Sequence, residues 1–511
     1  MGRAGGLDDP SWRRFLVRWL LVSLGLVVVA AYCSEGFYHP DEQFQVLEFV
    51  GAKLGRTPWV QLPWEFPARL RSWTQPAVYY AIQQSLSAAG VESPFSWAFA
   101  FRLFSGIVGW ISLAALALCT RVWFAENEIR RTVVRLLALC WFVPFLLVRT
   151  SGESLSTSCS ILGLALVVFG EKNGWPRSLL LAAGVCFGLA FDLRFASGVM
   201  SASVVAWAVM RGGLRPLRAG WIVAGALSAL ALGAAADRWG YGEWVFPAYH
   251  YVAENIWRGR AAQFGTAPWY AYLLMPLRHA LAPLILVQMA AMLVAFLRHP
   301  FHVLTWTAAP YLFVLSCLAH KELRFLFPVA MLGPVFVGLA VTPGEDRLGR
   351  SLRTLWERRR HPLGRALFAL NLVGLVALST VPCGLEVRFQ RFVYDRLPDG
   401  LEAVVLTRRS PYLWGTHDHM YFYRPARLVL HPAGALGESV EAGVRKFHVI
   451  TPSFVDADTI APGYDCAPLY RSFPYWGRRF DWFGWQGRTP SWDLYRCRRT
   501  DQRPRRPRGA S

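Results

Sequence analysis

Charged residues are scarce in this chain. Of its 511 residues 17% are charged, whereas 54% are hydrophobic and 14% aromatic, including 23 Trp. A soluble domain usually carries about 25% charged residues, so the composition predicts a multi-pass membrane protein instead. The net charge of +21 does not indicate a nucleic-acid partner, because much of the Arg falls in short loops between apolar segments.

The sequence also lacks the signatures of several kinds of site. Its nine Cys include no C-x-x-C pair and no His/Cys spacing typical of zinc, and there is no Gly-rich nucleotide loop and no internal repeat. We therefore expect neither a metal nor a cofactor. Only Cys466 and Cys497 lie well inside the polar C-terminal part. A disulfide between them and two free thiols both fit the sequence.

Apolar segments long enough to cross a membrane recur along the chain, and about eleven are present. They are 15–33, 98–120, 133–149, 154–170, 178–192, 195–210, 219–236, 269–297, 302–319, 323–342 and 365–382. No small-residue cleavage site follows the first segment, so we interpret it as an uncleaved span. The predicted fold is an all-α polytopic membrane protein.

Basic residues mark one side of these spans. They are Arg13, Arg14, Arg18, Arg121, Arg130, Arg131, Lys172, Arg177, Arg211, Arg215, Arg218, Arg298 and the Arg cluster from Arg347 to Arg365. The positive-inside rule makes this side cytoplasmic. The other side then holds the loops 34–97 and 237–268, the turns near 150–153 and at 320–322, and everything after 383.

Three domains are expected from this topology. Residues 1–382 form the membrane module. Residues 383–497 contain short apolar strand-like stretches broken by Pro and Gly, which predict a small mixed α/β domain on the non-cytoplasmic side. The stretch 498–511 is rich in Arg and Pro and is predicted to be disordered.

The motif His39-Pro40-Asp41-Glu42 begins six residues after the first apolar segment ends. Two adjacent carboxylates at a membrane surface are costly unless they stay hydrated or paired. Because neighbouring helix residues point in different directions, one carboxylate can reach a hydroxyl as a general base while the other positions a neighbour. The alternative is a solvated helix N-terminus, where acidic residues favour the helix dipole.

Helical periodicity continues through residues 41–54. The apolar residues Phe44, Val46, Leu47, Val50 and Leu54 share one face. Asp41, Gln45 and Glu48 share the other face. The pattern predicts a helix lying in the membrane interface with its carboxylates towards a cavity.

A second polar cluster, His320-Lys321-Glu322-Leu323-Arg324, stands between two apolar segments on the same predicted side. Arg and Lys placed in this way suit a phosphate. The alternative is that their long side chains extend to the membrane interface. Basic residues on the outer side oppose the usual charge bias, which favours the phosphate site, with Glu322 orienting one of the cations.

Further polar residues lie at span ends and in the second outer loop. Arg149 and Glu153, four residues apart, could pair across a turn, and Asp192 and Arg194 could form a structural pair. The candidates for positioning a substrate are His39, Arg71, Arg149, Glu153, Asp237, Tyr241, His250 and Asn255.

Six segments, in this order, carry a family resemblance. They are HPDEQFQ at 39–45, WEF…RSWTQP at 64–76, VRT at 148–150, DRWGYGEWVFPAYHYVAEN at 237–255, FGTAPWYAYL at 264–273 and HKELRFLFPV at 320–329. The chain resembles glycosyltransferase family 22, the lipid-phosphate-mannose-dependent mannosyltransferases, and within it the glycosylphosphatidylinositol (GPI) mannosyltransferases. The family's acidic motif falls on Asp41 and Glu42, and its HKE-x-RF motif falls on His320, Lys321, Glu322 and Arg324.

The resemblance implies a GT-C-type fold and an inverting, metal-free transfer of mannose. The donor would be a β-linked dolichyl- or polyprenyl-phosphate mannose, the acceptor a lipid-linked or GPI-like glycan, and the product an α-mannoside. The expected partners are thus the donor, the acceptor and membrane lipid, with no nucleic acid. The location would be the bacterial inner membrane with a periplasmic active site, or the endoplasmic reticulum (ER) membrane with a lumenal one.

Two other functions remain open from the sequence. A related GT-C transferase would move another sugar, such as arabinose or glucose, onto a lipid or a cell-envelope glycan. A lipid transporter would be expected to carry charges in mid-span and repeated halves, whereas the charges here lie at span ends.

Overall fold

The computed structural model describes residues 10–343, 351, 354, 362–397, 402–405, 410–415, 418–426, 428–455, 457–474, 476, 479 and 490–500. The Arg cluster between Arg347 and Arg360, and most of the predicted tail 498–511, lie outside these residues. The chain divides into two compact units. The membrane unit comprises Met1–Ser34, Trp64–Glu92 and Ser96–Val381, and the C-terminal unit comprises Glu35–Pro63, Ser93–Phe95 and Pro382–Ser511.

Helices make up most of the described chain. They are α1 Pro10–Cys33, α2 Pro40–Glu42, α3 Glu48–Lys53, α4 Thr74–Ala88, α5 Pro94–Trp123, α6 Asn127–Leu139, α7 Val143–Leu147, α8 Gly152–Lys172, α9 Arg177–Leu193, α10 Ser197–Met210, α11 Pro216–Tyr241, α12 Pro247–Val252, α13 Ala271–His279, α14 Ala282–Arg298, α15 Val303–Cys317, α16 Phe327–Ala330, α17 Gly333–Val341, α18 Pro362–Thr380, α19 Leu385–Arg396, α20 Gly434–Glu441 and α21 Ala457–Ile460. Two π-helical segments, Gln43–Leu47 and Ala253–Trp257, come after α2 and α12.

Five of the described helices are long and apolar enough to cross a membrane. They are Pro10–Cys33, Pro94–Trp123, Gly152–Lys172, Pro216–Tyr241 and Pro362–Arg396, the last of which joins α18 and α19. Two bent pairs, α14 with α15 and Leu323–Ala330 with α17, raise the number to seven if each pair is one span. The polytopic helical fold is therefore present, while the count of about eleven spans stays a prediction.

Three predicted spans are interrupted in the structure. The segment 133–149 divides into α6 and α7, the segment 269–297 into α13 and α14, and the segment 323–342 bends by 49° before α17. The helix after each break carries a proline in its first turn. Proline suits that position but cannot continue a preceding helix, so hydropathy alone joined segments that the backbone divides.

The C-terminal unit contains the predicted small sheet. Its strands are β1 Glu402–Val405, β2 Leu413–Trp414, β3 Asp418–His419, β4 Val429–His431, β5 Lys446–Pro452, β6 Tyr464–Arg471 and β7 Trp492–Arg499. Five of them form a mixed sheet in the order β4-β1-β5-β7-β6, and β2 and β3 form a separate hairpin. Strand β1 runs parallel to β4 and β5, whereas β7 is antiparallel to β5 and β6.

Both faces of this sheet are covered, as the alternation of side chains along β5 and β7 requires. Ile450 and Leu494 pack with Phe389 and Val393 of α19 on one face. Phe447, Val449, Tyr495 and Cys497 form a second core with Ile460 of α21 on the other face. A disulfide joins Cys466 of β6 to Cys497, its partner in register on β7. The open question about these two thiols is thus decided in favour of the bond.

Candidate functional site

The acidic motif forms the start of a short helix in the C-terminal unit. His39 is the N-cap of α2, and its Nδ1 accepts the backbone N–H of Asp41 at 3.2 Å. Glu42 is 1% exposed, and its Oε1 accepts the backbone N–H groups of Tyr38 and His39 at 3.0 and 3.3 Å. This is a capping box with histidine in the place of serine or threonine. Glu42 thus holds the backbone. The side chain of Asp41 is 17% exposed, and its Oδ1 lies 3.3 Å from His39 Nδ1.

The prediction of one continuous interfacial helix over 41–54 is wrong, because it places Glu48 on the same face as Asp41. A π-helical turn at Gln43–Leu47 separates α2 from α3. Such a turn holds more residues than an α-helical one, so it rotates the residues after it about the helix axis. Glu48 is therefore 1% exposed instead of facing a cavity beside Asp41. Phe44, Val46, Leu47 and Val50 are buried within the protein, so this face does not lie against lipid.

The HKELR motif forms an ion-pair cluster in the membrane unit. His320 Nε2 lies 2.8 Å from Glu322 Oε1, and the Nε of Arg324 bonds the other oxygen of Glu322. His320 Nδ1 lies 3.0 Å from the carbonyl of Gly265. Each ring nitrogen of His320 thus lies next to an oxygen atom. Glu322 thus orients two groups, one more than the sequence predicted.

Glu153 extends this cluster to a residue that sequence reasoning missed. Its Oε1 lies 3.1 Å from the guanidinium of Arg194 and 3.2 Å from that of Arg324. Arg194 lies at the end of α9. The possible pair of Asp192 and Arg194 is not formed, because Asp192 instead accepts a bond from Ser72 Oγ at 2.9 Å. The available signal was an arginine at the very end of an apolar helix, where a charge needs a partner.

Lys321 belongs to the same cluster but is held by backbone carbonyls. Its Nζ bonds the carbonyls of Ala267, at 3.2 Å, and Leu318. Burial lowers the pKa of the Lys321 ammonium. These bonds tie the motif at 264–273 to the motif at 320–329. We call Glu153, Arg194, His320, Lys321, Glu322 and Arg324 the donor cluster, because the family resemblance predicts the phosphate site of the mannosyl donor at the HKELR motif.

An apolar cavity of about 260 Å³ begins beside the donor cluster, with Leu323 and Leu326 on either side of Arg324 in its lining. Trp269 and Tyr272 of the 264–273 motif region, Met289 of α14 and Phe336 of α17 line it further. A cation cluster at the edge of an apolar cavity is suited to an anion that carries a long apolar chain.

The remaining candidates in the membrane unit hold its loops. Asp237 Oδ1 accepts the backbone N–H of Trp73 at 2.7 Å, and Tyr241 Oη donates to the carbonyl of Arg71 at 2.8 Å. A Cβ on Gly240 would lie 2.0 Å from the Trp73 ring, so only glycine permits this approach. Asp237 and Tyr241 thus fix the turn at 71–73 by contacts to its backbone.

Arg71 itself points towards the second outer loop. Its guanidinium lies 3.8 Å from Glu65 and 6.0 Å from the centre of the Tyr251 ring. Tyr251 lines a small cavity together with Glu153 and Arg194. The described contacts of His250 and Asn255 stay within their own segment, with Tyr249 and with the Tyr251 carbonyl.

Arg149 is completely buried at the end of α7. Its guanidinium donates to the carbonyl and the hydroxyl of Ser34 at 2.9 and 2.5 Å and lies 4.7 Å from the centre of the Phe145 ring. In the next residue, the Thr150 carbonyl accepts a bond from Gln75 at 2.7 Å. The motif at 148–150 therefore connects α1 with the segment at 64–76. Among the described residues, no group of three or more His, Cys, Asp or Glu is placed to hold a metal ion.

The comparisons with known proteins agree with the motifs. The sequence model of the Alg9-like mannosyltransferase family matches residues 18–396. GPI mannosyltransferase 3 of Gibberella zeae is 27% identical over 62% of this chain and 58% of its own length. Mannosyltransferase APTG1 of Arabidopsis thaliana is 24% identical over 68% and 62%, and GPI alpha-1,2-mannosyltransferase 3 of Bos taurus is 25% identical over 86% and 77%. The chain thus spans about three fifths of the length of the first two relatives.

Two solved structures share the fold. ArnT from Cupriavidus metallidurans bound to undecaprenyl phosphate has a TM-score of 0.50 at 12% identity, covering 96% of this chain and 98% of its own. Archaeal oligosaccharyltransferase AglB from Archaeoglobus fulgidus, in complex with an inhibitory peptide and a dolichol-phosphate, has a TM-score of 0.50 at 12% identity over 88% and 70%. With its apolar helices, this chain is an integral membrane protein. From the match over residues 18–396, the chain belongs to the Alg9-like mannosyltransferase family.

Proposed function

We propose that the protein transfers mannose from a prenyl-phosphate mannose to a hydroxyl of a GPI-like, lipid-linked glycan, with inversion at the anomeric carbon. The observation that carries this proposal is the donor cluster beside an apolar cavity. A prenyl-phosphate sugar has the same two parts, an anion and a long hydrocarbon chain. The family and the names of the relatives supply the sugar.

Arg324, Arg194, His320 and Lys321 bind the donor phosphate. Arg194, Arg324 and Lys321 are three cations against the two carboxylates Glu153 and Glu322, so one positive charge is in excess before His320 is counted. Guanidinium groups bond phosphate oxygens in pairs and stabilise the charge that develops on a leaving phosphate. The prenyl chain occupies the cavity that Leu323 and Leu326 line.

Asp41 is the general base. Its carboxylate takes the proton of the acceptor hydroxyl while the acceptor oxygen forms a bond to the anomeric carbon from the face opposite the phosphate. The bond between that carbon and the phosphate oxygen breaks, and both electrons leave with the prenyl phosphate. A β-linked donor thereby gives an α-mannoside. Glu42 supports Asp41 by holding the backbone of the motif, as its bonds to Tyr38 and His39 suggest.

For the linkage we propose α-1,2, since the bovine relative carries that linkage in its name. The test uses purified full-length protein in nanodiscs with labelled dolichyl- or polyprenyl-phosphate mannose and a panel of GPI-type acceptors that differ in their number of mannoses. We expect a labelled product from which an α-1,2-specific mannosidase releases the label. Transfer of another prenyl-linked sugar with the mannose donor inert would replace this function by that of a different GT-C transferase.

We further propose that the C-terminal unit, with Asp41, faces the periplasm or, in a eukaryotic cell, the ER lumen. The Cys466–Cys497 disulfide supports this side, because such bonds persist in oxidising compartments. The check is Glu438→Cys, at an exposed position of α20, in a variant whose seven free cysteines are replaced. A membrane-impermeant maleimide should label it from the non-cytoplasmic face of sealed vesicles. Labelling only after the cytoplasmic face is made accessible would reverse the proposed topology.

A further inference from the structure

Glu48 is a buried carboxylate without a part in the proposed chemistry. Three segments of the C-terminal unit donate hydrogen bonds to it. Gln43 Nε2 and Thr57 Oγ1 do so at 2.7 and 2.5 Å, and the backbone N–H groups of Tyr421 and Phe422 do so at 3.0 and 3.2 Å. A carboxylate with four donors, two of them from the backbone, fixes the α3 segment against residues 421–422.

Arg56 connects the same two segments, but as a hydrogen-bond donor instead of an acceptor. Its guanidinium donates to the carbonyls of Phe422 and Arg424 at 2.9 and 3.2 Å. The turn that carries Arg56 and Thr57 needs Gly51, because a Cβ there would lie 2.3 Å from Thr57 Oγ1. Two backbone N–H groups and two carbonyl groups of residues 421–424 are thus bonded to the segment that comes after Asp41.

The hairpin of β2 and β3 lies just before this anchored stretch. Trp414 packs edge-on against Phe37 with ring centres 5.2 Å apart, two residues before His39. His419 and Tyr421 lie with ring centres 5.6 Å apart. Trp414, His419 and Tyr421 are half-buried, and Asp418 is exposed. Such aromatic rings offer an apolar face for the C–H face of a sugar ring, and a neighbouring carboxylate can accept hydrogen bonds from its hydroxyl groups.

The family match ends at residue 396, before this hairpin begins. The motifs of the donor cluster lie inside the match. The motifs of the donor cluster are thus part of what the family model describes, and the hairpin is not.

We propose that Trp414, Asp418, His419 and Tyr421 form the acceptor-glycan subsite of the enzyme, and that Glu48 and Arg56 fasten it to the segment carrying Asp41. This inference rests on the proposed function. Trp414 and its neighbours contact sugar rings of the acceptor. Glu48 is a positioning residue.

The first experiment measures acceptor and donor KM separately for Trp414→Ala, with Trp476→Ala as the matched control, an exposed tryptophan of the same unit outside the hairpin. Trp414→Ala should raise the acceptor KM about tenfold and leave the donor KM unchanged, while Trp476→Ala changes neither. A changed donor KM, or an unchanged acceptor KM, overturns the subsite.

The second experiment tests the positioning role with Glu48→Ala and Glu48→Gln. Glutamine keeps an oxygen for the backbone donors, so it should restore most of the acceptor KM and kcat that alanine loses, at equal donor affinity. Equal defects in both variants overturn the role of Glu48. Direct calorimetric binding of the acceptor glycan, without donor, separates the two proposals. If wild type binds it and Trp414→Ala does not, the subsite stands even where mannose transfer fails.

Discussion

Two polar clusters of the molecule, one in each unit, balance their carboxylates in different ways. In the donor cluster of the membrane unit, Glu153 and Glu322 face arginine and histidine side chains. In the C-terminal unit, Glu42 and Glu48 accept backbone N–H groups. A side-chain cation can exchange one anion for another, so the first arrangement is suited to binding a phosphate. Backbone donors are fixed in place, so the second arrangement is suited to positioning.

The largest effect is expected at Asp41, which is the less enclosed carboxylate of its motif. Asp41→Asn removes the base but keeps the helix start, because His39 accepts the backbone N–H of residue 41 and not its side chain. We expect kcat to fall by roughly 10²–10⁴-fold with donor affinity unchanged. Single-turnover rates and donor titrations measure the two quantities. Retention of more than a tenth of wild-type turnover would show that another residue is the base.

The carboxylate of Glu48 should make the stability of its contacts depend on pH. Burial raises its pKa from 4.5 to about 7 against the opposing hydrogen bonds. Between these two pH values the folded state binds more protons than the unfolded state. The contact between Glu48 and residues 421–422 therefore becomes less stable as pH rises from about 4.5 to about 7, and its stability is constant above that range. At about 1.4 kcal/mol for each pKa unit the full change is about 3 kcal/mol.

Hydrogen exchange of the Tyr421 and Phe422 amides, corrected for the intrinsic pH dependence of exchange, measures this change in the full chain. Protection should decrease between pH 5 and pH 7.5 in wild type and stay constant in Glu48→Gln. The control Glu438→Gln, at an exposed position, should match wild type. A slope that persists in Glu48→Gln would place the titrating group elsewhere.

Arg324 tests the claim that the donor cluster exchanges anions. Arg324→Ala removes a buried guanidinium that bonds both Glu153 and Glu322. A lost charge-assisted hydrogen bond costs about 1.5–3 kcal/mol, so donor affinity should fall by about ten- to a hundredfold. Arg194→Ala should act in the same direction. If donor affinity is unchanged while turnover is lost, these arginines act on the acceptor or on the structure.

The sequence was informative where a pattern is local. The acidic motif, the HKELR motif, the apolar segments and the small C-terminal sheet could all be predicted. Contacts between distant segments could not. Arg194 meets Glu153 and Arg324 only because the C-terminal end of α9, the start of α8 and the 320–326 turn come together. The position of Arg194 at a helix end predicts that it needs a partner, but not which residue that partner is. Glu48 was misplaced because a single π-helical turn changes the phase of a helix, and hydrophobic periodicity assumes 3.6 residues per turn. Proline-initiated helices divided spans that hydropathy had joined.

The smallest effect is expected at Lys321. This residue contacts backbone groups, although it belongs to the same motif as Arg324, which pairs with carboxylate side chains. The ammonium of Lys321 bonds the carbonyls of Ala267 and Leu318. It is a compact charge, whereas the planar guanidinium of Arg324 can bond two phosphate oxygens at once. Lys321→Ala should weaken donor binding less than Arg324→Ala, by less than about tenfold. Because the carbonyls of Ala267 and Leu318 then lose a hydrogen-bond partner, the variant should also unfold at a lower temperature. Lys321→Arg keeps the charge and should recover donor affinity better than stability. A loss of donor affinity in Lys321→Ala as large as that in Arg324→Ala would make the lysine a direct phosphate ligand of equal weight.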